Sequence, residues 1–183
     1  MSVCVCACTL WCGSGIHSRP AWPPVCCPHG LPVLPAPLRY YYLSHVADGT
    51  VSPPVKQDLA NRLRDLHEGL ARVLADYQPD EAAVEETFFN KNPKSTLKLG
   101  EARGVVVLAP ALAGLRVAEY SANRIKKSVV GAGHATKEQV QMMVSRLLPG
   151  CNFSSGDAAD ALAVAICHAH FAQTARRLMA SVR

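Results

Sequence analysis

The clearest hydrophobic pattern lies between residues 59 and 74, where leucine or valine recurs at steps of three and four. That spacing places the apolar side chains on one face of a helix, and charged residues such as Arg62 and Asp65 fill the other faces. Pro79 follows closely, and proline cannot continue a helix. The pattern therefore predicts an amphipathic helix that ends near Pro79.

Shorter apolar segments predict strands. Residues 80–89 and 116–120 are rich in alanine, β-branched and aromatic residues, and the tyrosine-rich residues 40–43 could begin another strand. Because helical patterns separate these segments, the chain reads as an α/β fold in which helices cover a sheet.

Caps and helix-breaking residues define the other helices. Thr136 and Gln139 have the spacing of a capping box, and Pro110 should kink or end the helix that precedes it. The predicted helices begin near Ser95, Ser121, Thr136 and Gly156, and the last of them runs to about Leu178.

Composition divides the chain near residue 47. Residues 1–47 contain neither Asp nor Glu, but they hold seven of the 13 prolines and six of the eight cysteines. The cysteine spacing lacks the two Cys-x2–4-Cys pairs usual in zinc sites, so a cysteine-rich metal protein over residues 4–29 is a minor alternative. We expect residues 1–42 to be a leader, disordered or read from a wrongly assigned frame, and residues 43–183 to form the folded domain.

The amino-acid composition of the whole chain is typical of one globular domain. The 183 residues are 49% hydrophobic and 18% charged, which excludes a disordered acidic chain. No run of 18 apolar residues predicts a membrane span, and the first apolar run lacks the basic start of an export signal. The net charge of +5 only weakly favours an anionic partner such as nucleic acid.

Carboxylates near the end of the chain are the first chemical signal. Asp157 and Asp160 are spaced i,i+3, so they share one face in the first turns of the last predicted helix. Few cations stand near them in the sequence, and a divalent cation would offset their repulsion. Glu85 and Glu86 close a predicted strand. Spacing alone leaves open an ordinary interaction between an acid and the helix dipole.

Ordered motifs over about residues 43–175 resemble the RuvC family of Holliday-junction resolvases. The motifs are VEETFFNKN at 84–92, STLKLGEARG at 95–104, VAEY at 117–120, IKK at 125–127, VVG at 129–131, KEQVQ at 137–141 and GDAADALA at 156–163.

The resemblance implies an α/β fold of the ribonuclease-H-like type, with a mixed sheet flanked by helices. It also implies a cytoplasmic homodimer that nicks four-way DNA junctions during recombination and repair. Mg²⁺, two ions per subunit and replaceable by Mn²⁺, would be the cofactor, and the RuvA and RuvB branch-migration motor would be the partner.

The same resemblance assigns roles to individual residues. Three acids match metal-binding and catalytic positions, two lysines match residues that face DNA, and one aromatic matches a residue that contacts unpaired bases. They are Glu85, Asp157 and Asp160; Lys126 and Lys137; and Phe88. Without the match, the lysines would be read as solvated surface residues and the phenylalanine as part of a core or dimer interface.

The chain departs from the family at its first strand. Members begin with an apolar-Gly-Ile-Asp-Pro-Gly strand whose Asp is a fourth metal ligand. That Asp should fall near residues 25–28, which here read Val-Cys-Cys-Pro. The resemblance thus implies that the first strands are missing or disordered. An inactive junction-binding dimer is the alternative function.

Overall fold

The computed structural model describes residues 3–10, 43–86 and 93–181, with only the backbone described at 3–10, 93–94, 173 and 175–181. Its strands are β1 Val3–Leu10, β2 Leu43–Val51, β3 Glu81–Glu85 and β4 Arg116–Tyr120. Its helices are α1 Leu59–Tyr77, α2 Pro93–Leu112, α3 Ala122–Val130, α4 Lys137–Leu147 and α5 Gly156–Ser181.

Local sequence signals account for most element ends. Helix α1 ends at Gln78, whose φ of 44° lies in the left-handed region. The capping box of α4 is confirmed, since Thr136 Oγ1 accepts from the Gln139 N–H and Gln139 Oε1 accepts from the Thr136 N–H. Two orphan amides at the start of α4 are thereby satisfied.

Two predicted elements have different bounds in the structure. Strand β3 ends at Glu85, shorter than the predicted span, and residues 87–89 lie outside the described part. Helix α2 continues two residues beyond Pro110. Pro110 has no N–H to donate to the carbonyl four residues before it, while the Ala109 and Pro110 carbonyls accept from the Ala113 and Leu115 amides at the end of the helix.

The strands described here form two ladders. Strands β3 and β4 are parallel, with Glu85 opposite Tyr120. Strands β1 and β2 are antiparallel, with an irregularity between Ala7 and Cys8. The sequence analysis predicted no strand at residues 3–10, where the structure has β1. The prediction of missing or disordered first strands is corrected for these residues. The domain boundary at residue 42 stays a prediction.

Helix α5 lies at the centre of the main core. It packs against both ladders and against α3 and α4. Ala158, Ala159 and Ala163 are almost fully buried, and their small side chains allow this close approach. Leu162 and Ile166 of the same helix are fully buried. Burying each such side chain stabilises the fold by about 1.5–3 kcal/mol.

A second, smaller core joins α1 to α2. Leu66 and Leu70 of α1 pack with Ala102 and Ala109 of α2. Across the described ranges, none of the helices combines the length and apolar character needed to span a bilayer.

Candidate functional site

Glu85 occupies the carboxyl end of β3, where backbone contacts fix its position. The Arg103 guanidinium donates to the Glu85 carbonyl at 2.7 Å and also pairs with the Glu119 carboxylate. The next amide, that of Glu86, donates to the Tyr120 carbonyl at 2.8 Å. Helix α2 and strand β4 therefore hold the end of β3 from both sides.

Asp157 and Asp160 project from the first turns of α5. Ser155 precedes that helix, and its Oγ accepts from the Ala158 N–H at 3.1 Å, as an N-cap residue does. Asp157 is exposed and Asp160 is half-buried, while Ala158 and Ala159 between them face the core. The helix thus holds both carboxylates on its open side, as the i,i+3 spacing predicted.

Lys137 supplies a positive charge that the local sequence did not indicate. Its Nζ lies 3.0 Å from Asp160 Oδ2 and 3.9 Å from Asp157 Oδ1. The local sequence offers few cations near these acids, and the contact arises because Lys137 begins a different helix that packs beside α5.

The charges of Asp160 and Lys126 act on the Glu85 carboxyl group. Partial burial raises the pKa of its carboxyl group, the negative charge of Asp160 raises that pKa further, and Lys126 lowers it. An effect of Asp160 on Glu85 requires the two carboxylates to be close. The fold therefore brings together Glu85, Asp160, Lys126 and Lys137, residues that the sequence places up to 75 positions apart.

The donor set suits a hard divalent cation. All three acids offer carboxylate oxygens, which Mg²⁺ and Mn²⁺ prefer. They do not form a closed ligand cage, because the one group of three metal-ligating side chains within 4.8 Å of one another in the described residues lies elsewhere.

The structure describes two of the three residues that the resemblance predicts to contact DNA. Lys126 lies near Glu85 and Lys137 near Asp160, so both cations border the acids. Phe88 lies outside the described residues. Arg124, two residues before Lys126, lies over the Phe171 ring with its Cζ 4.4 Å from the ring centroid.

Sequence profiles of known families identify the chain. The profile described as crossover junction endodeoxyribonuclease RuvC matches residues 30–168. The chain belongs to the RuvC family.

Curated RuvC relatives match over most of their length. RuvC of Paramagnetospirillum magneticum is 61% identical over 140 residues, which are 76% of this chain and 84% of the relative. RuvC of Rhodospirillum rubrum is 61% identical over 129 residues, 70% of this chain and 76% of the relative.

Solved RuvC structures share the fold. A Thermus thermophilus RuvC in complex with a Holliday junction substrate matches with a TM-score of 0.68 at 31% identity, over 73% of this chain and 82% of that one. A second T. thermophilus RuvC structure matches with a TM-score of 0.65, also at 31% identity, over 74% and 82%. The expected ribonuclease-H-like α/β fold is confirmed.

Three hydrogen-bonded polar side chains, which no sequence motif indicates, join α5 to β3 and β4. Tyr120 Oη lies 2.9 Å from His168 Nδ1, and His168 Nε2 lies 2.7 Å from Glu81 Oε2. Burial raises the pKa of the Tyr120 hydroxyl, so this group stays a neutral hydrogen-bonding partner. These hydrogen bonds hold α5, which bears Asp160, against β3, which bears Glu85.

A second set of hydrogen bonds that the sequence analysis missed links β2 to the residues just before α5. Asp48 Oδ2 accepts from both the N–H and the hydroxyl of Ser154, each at 3.2 Å. Asp48 Oδ1 lies 2.9 Å from His45 Nε2. No motif signals these contacts, since residues 48 and 154 are far apart in the chain.

Proposed function

We propose that this RuvC-family chain is a structure-selective endonuclease that nicks four-way DNA junctions by metal-assisted phosphodiester hydrolysis. The observation that carries the proposal is the convergence of Glu85 and Asp160, from β3 and α5, into one group bordered by two lysines. The printed description of a solved relative, a RuvC bound to a Holliday junction, supports the same substrate.

Glu85, Asp157 and Asp160 would hold the divalent cations, which we propose to be two Mg²⁺ ions per subunit, replaceable by Mn²⁺. When bound, such ions activate water and neutralise charge on the phosphate and leaving oxygen. Asp157 lies in the first turn of α5, where the helix N-terminus adds a partial positive charge.

Lys126 and Lys137 would bind the DNA backbone. Each lies beside an acid in the structure, so each is positioned to contact a phosphate that approaches the acids. If Asp160 held a cation, the Lys137 ammonium group would give up its contact with that carboxylate and could bind a phosphate instead. Phe88, adjacent in sequence to this site, would stack on unpaired bases.

The substrate geometry supports a symmetric assembly. A four-way junction presents two equivalent strands, and two equivalent cuts need two equivalent sites, which a twofold dimer provides. We propose a homodimer that acts in the cytoplasm in DNA recombination and repair with RuvA and RuvB.

A specificity assay tests the proposal. Labelled four-way junction and linear duplex of the same sequence would be incubated with the full chain in Mg²⁺, with a Glu85→Gln variant as control. We expect paired nicks in the junction alone and their loss in the variant. Equal cleavage of duplex and junction, or nicks that survive in Glu85→Gln, would contradict the proposal.

One observation favours a second candidate, a junction-binding dimer without nuclease activity. Residues 1–47 contain no carboxylate, although the family's first metal-binding acid belongs there. Under this candidate, replacing residues 1–42 with a family-type first strand that carries the Asp should restore cleavage. A folded, junction-binding chimera that still does not cleave would contradict this candidate.

A further inference from the structure

We infer that His45, Asp48 and Cys151 form a binding site for a soft or borderline transition-metal ion, best matched by Zn²⁺, separate from the acidic site. The ligand atoms of these three side chains all lie within 4.8 Å of one another. The inference goes beyond the proposed nuclease function and does not depend on it.

A β-bulge assembles the first two ligands. Residues three apart on a regular strand point to opposite faces. Here Ala7 pairs with Ala47 and Cys8 pairs with His45, so Val46 is the extra residue on β2. The bulge reverses the alternation and brings His45 Nε2 to 2.9 Å from Asp48 Oδ1.

The third ligand comes from the connection between α4 and α5. Gly150 adopts a φ of 83°, a left-handed turn that glycine accepts without strain, immediately before Cys151. The Cys151 amide donates to the Leu148 carbonyl at 3.1 Å, which fixes the turn. Asp48 meanwhile binds Ser154 in the same connection, so both sides of the site are positioned before any ion arrives.

The dimensions fit a tetrahedral ion. Zinc bonds of about 2.0–2.3 Å place neighbouring ligand atoms roughly 3.5 Å apart. His45 and Asp48 must separate by only about half an ångström from their hydrogen-bonded distance to reach this spacing. Asp48 keeps its second oxygen on Ser154, and such a hydrogen bond orients a ligating carboxylate.

The donor types select the metal. A thiolate with an imidazole and one carboxylate favours Zn²⁺ over Mg²⁺, which prefers oxygen alone. Binding removes one proton from the Cys151 thiol and places the His45 proton on Nδ1, so that Nε2 offers its lone pair. The Asp48 and Cys151 positions are largely buried and His45 is half-buried, which leaves an approach from the His45 side for the ion and a fourth ligand water.

An ion at this site would join β2 to the connection that leads into α5. Ser155 and Asp157 follow within six residues of Cys151. The ion would therefore hold the start of the helix that carries the two aspartates, and zinc would stabilise the fold by mass action.

Cobalt titration tests the site directly. The full chain, reduced and freed of metal with a chelator, would be titrated with Co²⁺, which reports a thiolate ligand by a near-ultraviolet charge-transfer band. We expect the band in the wild-type chain and in Cys167→Ser, a second buried thiol outside the site. We expect its loss in Cys151→Ser and a weakening of cobalt affinity by more than about tenfold in His45→Gln.

The leader cysteines need a control of their own, because Cys6 and Cys8 pair in register with Asp48 and His45. A variant with all six leader cysteines changed to serine should keep the band. Its loss there would assign the metal to the leader and overturn the inference, as would no band in the wild type or an unchanged band in Cys151→Ser.

Thermal unfolding covers the case in which Cys151→Ser does not fold. Zn²⁺ should raise the Tm of the metal-free wild type by several degrees, and it should raise the Tm of Glu85→Gln equally because the acidic site is not involved. His45→Gln should lose the shift. An equal zinc shift in His45→Gln would overturn the inference whatever the outcome of the nuclease assays.

Discussion

Lys137 Nζ lies 3.0 Å from Asp160 Oδ2, so the first residue of α4 neutralises an acid on α5. The same ammonium group is 3.9 Å from Asp157 Oδ1. This lysine offsets the negative charge of both aspartates, so a divalent cation proposed to bind these acids would have to compete with it.

Replacing Lys137 with methionine should therefore change the response to magnesium. The metal-free variant should lose only about 0–1 kcal/mol of stability, because both partners are substantially exposed. Its Tm should rise more on addition of Mg²⁺ than the Tm of the wild type does, since the cation no longer displaces an ammonium group. Calorimetry with and without Mg²⁺ measures both effects.

Lys56→Met is the matched control, because Lys56 is an exposed lysine in the turn before α1. It should respond to Mg²⁺ as the wild type does. Identical magnesium shifts in Lys137→Met and Lys56→Met would show that Lys137 does not compete for the acids.

Glu85→Gln should stabilise the metal-free protein at neutral pH. The folded state raises the pKa of Glu85, so folding favours its protonated form and the ionised form is a cost. That cost is absent below the ordinary glutamate pKa of 4.5 and develops as the pH rises through the raised pKa of Glu85. Unfolding free energies of wild type and variant should therefore agree at low pH and diverge in favour of the variant as the pH rises.

Denaturant titrations in chelator at a series of pH values measure this difference. Glu86→Gln is the matched control, because Glu86 is the next residue in the chain and is exposed at the end of β3. A Glu85→Gln variant that is less stable than the wild type at pH 7 would contradict the electrostatic account.

Arg103→Ala should loosen the end of β3. Charge-assisted hydrogen bonds are worth about 1.5–3 kcal/mol, and Arg103 makes one to the Glu85 carbonyl and pairs with Glu119. We expect a loss of about that size in unfolding free energy. Arg103→Lys should recover part of it, since lysine keeps the charge but cannot reach both partners with a planar fork. Full recovery of stability in Arg103→Lys would contradict this account, because it would show that side-chain bulk and charge suffice without the two guanidinium contacts.

Two glycines in helices should respond to alanine in opposite directions. A Cβ on Gly69 of α1 would come within 2.4 Å of Val51 Cγ1 on β2, so Gly69→Ala should destabilise the protein despite the better helix propensity of alanine. Gly104 of α2 is exposed and has no atom within 4 Å of such a Cβ, so Gly104→Ala should stabilise by up to about 1 kcal/mol. Thermal unfolding of both variants decides the matter, and a stabilised Gly69→Ala would contradict the close packing of α1 on β2.

Local signals explain why much of the fold could be predicted. The leucine spacing of α1, the capping box at Thr136 and Gln139, and the strand at 116–120 each depend on neighbouring residues alone. The same holds for the i,i+3 placement of Asp157 and Asp160 on one helix face.

Contacts between distant residues explain the rest. Lys137 reaches Asp160 only because α4 and α5 pack together, and nothing in the local sequence of either residue reports this. His45 and Asp48 share a face only because of a bulge on β2, which periodicity would read as an ordinary strand. Strand β1 lies in a segment whose composition, without acids and rich in cysteine, predicted no regular element.

The most direct test of the nuclease proposal compares binding and cleavage of a synthetic four-way junction. Binding would be followed by gel shift in Ca²⁺ and nicking in Mg²⁺, with wild type and Glu85→Gln side by side. The account predicts that both proteins bind, that the wild type makes symmetric nicks, and that Glu85→Gln is slower by about 10²-fold or more, as expected for loss of a charge-stabilising group. Binding by the wild type without any nicking would contradict the account and identify the chain as an inactive junction-binding protein.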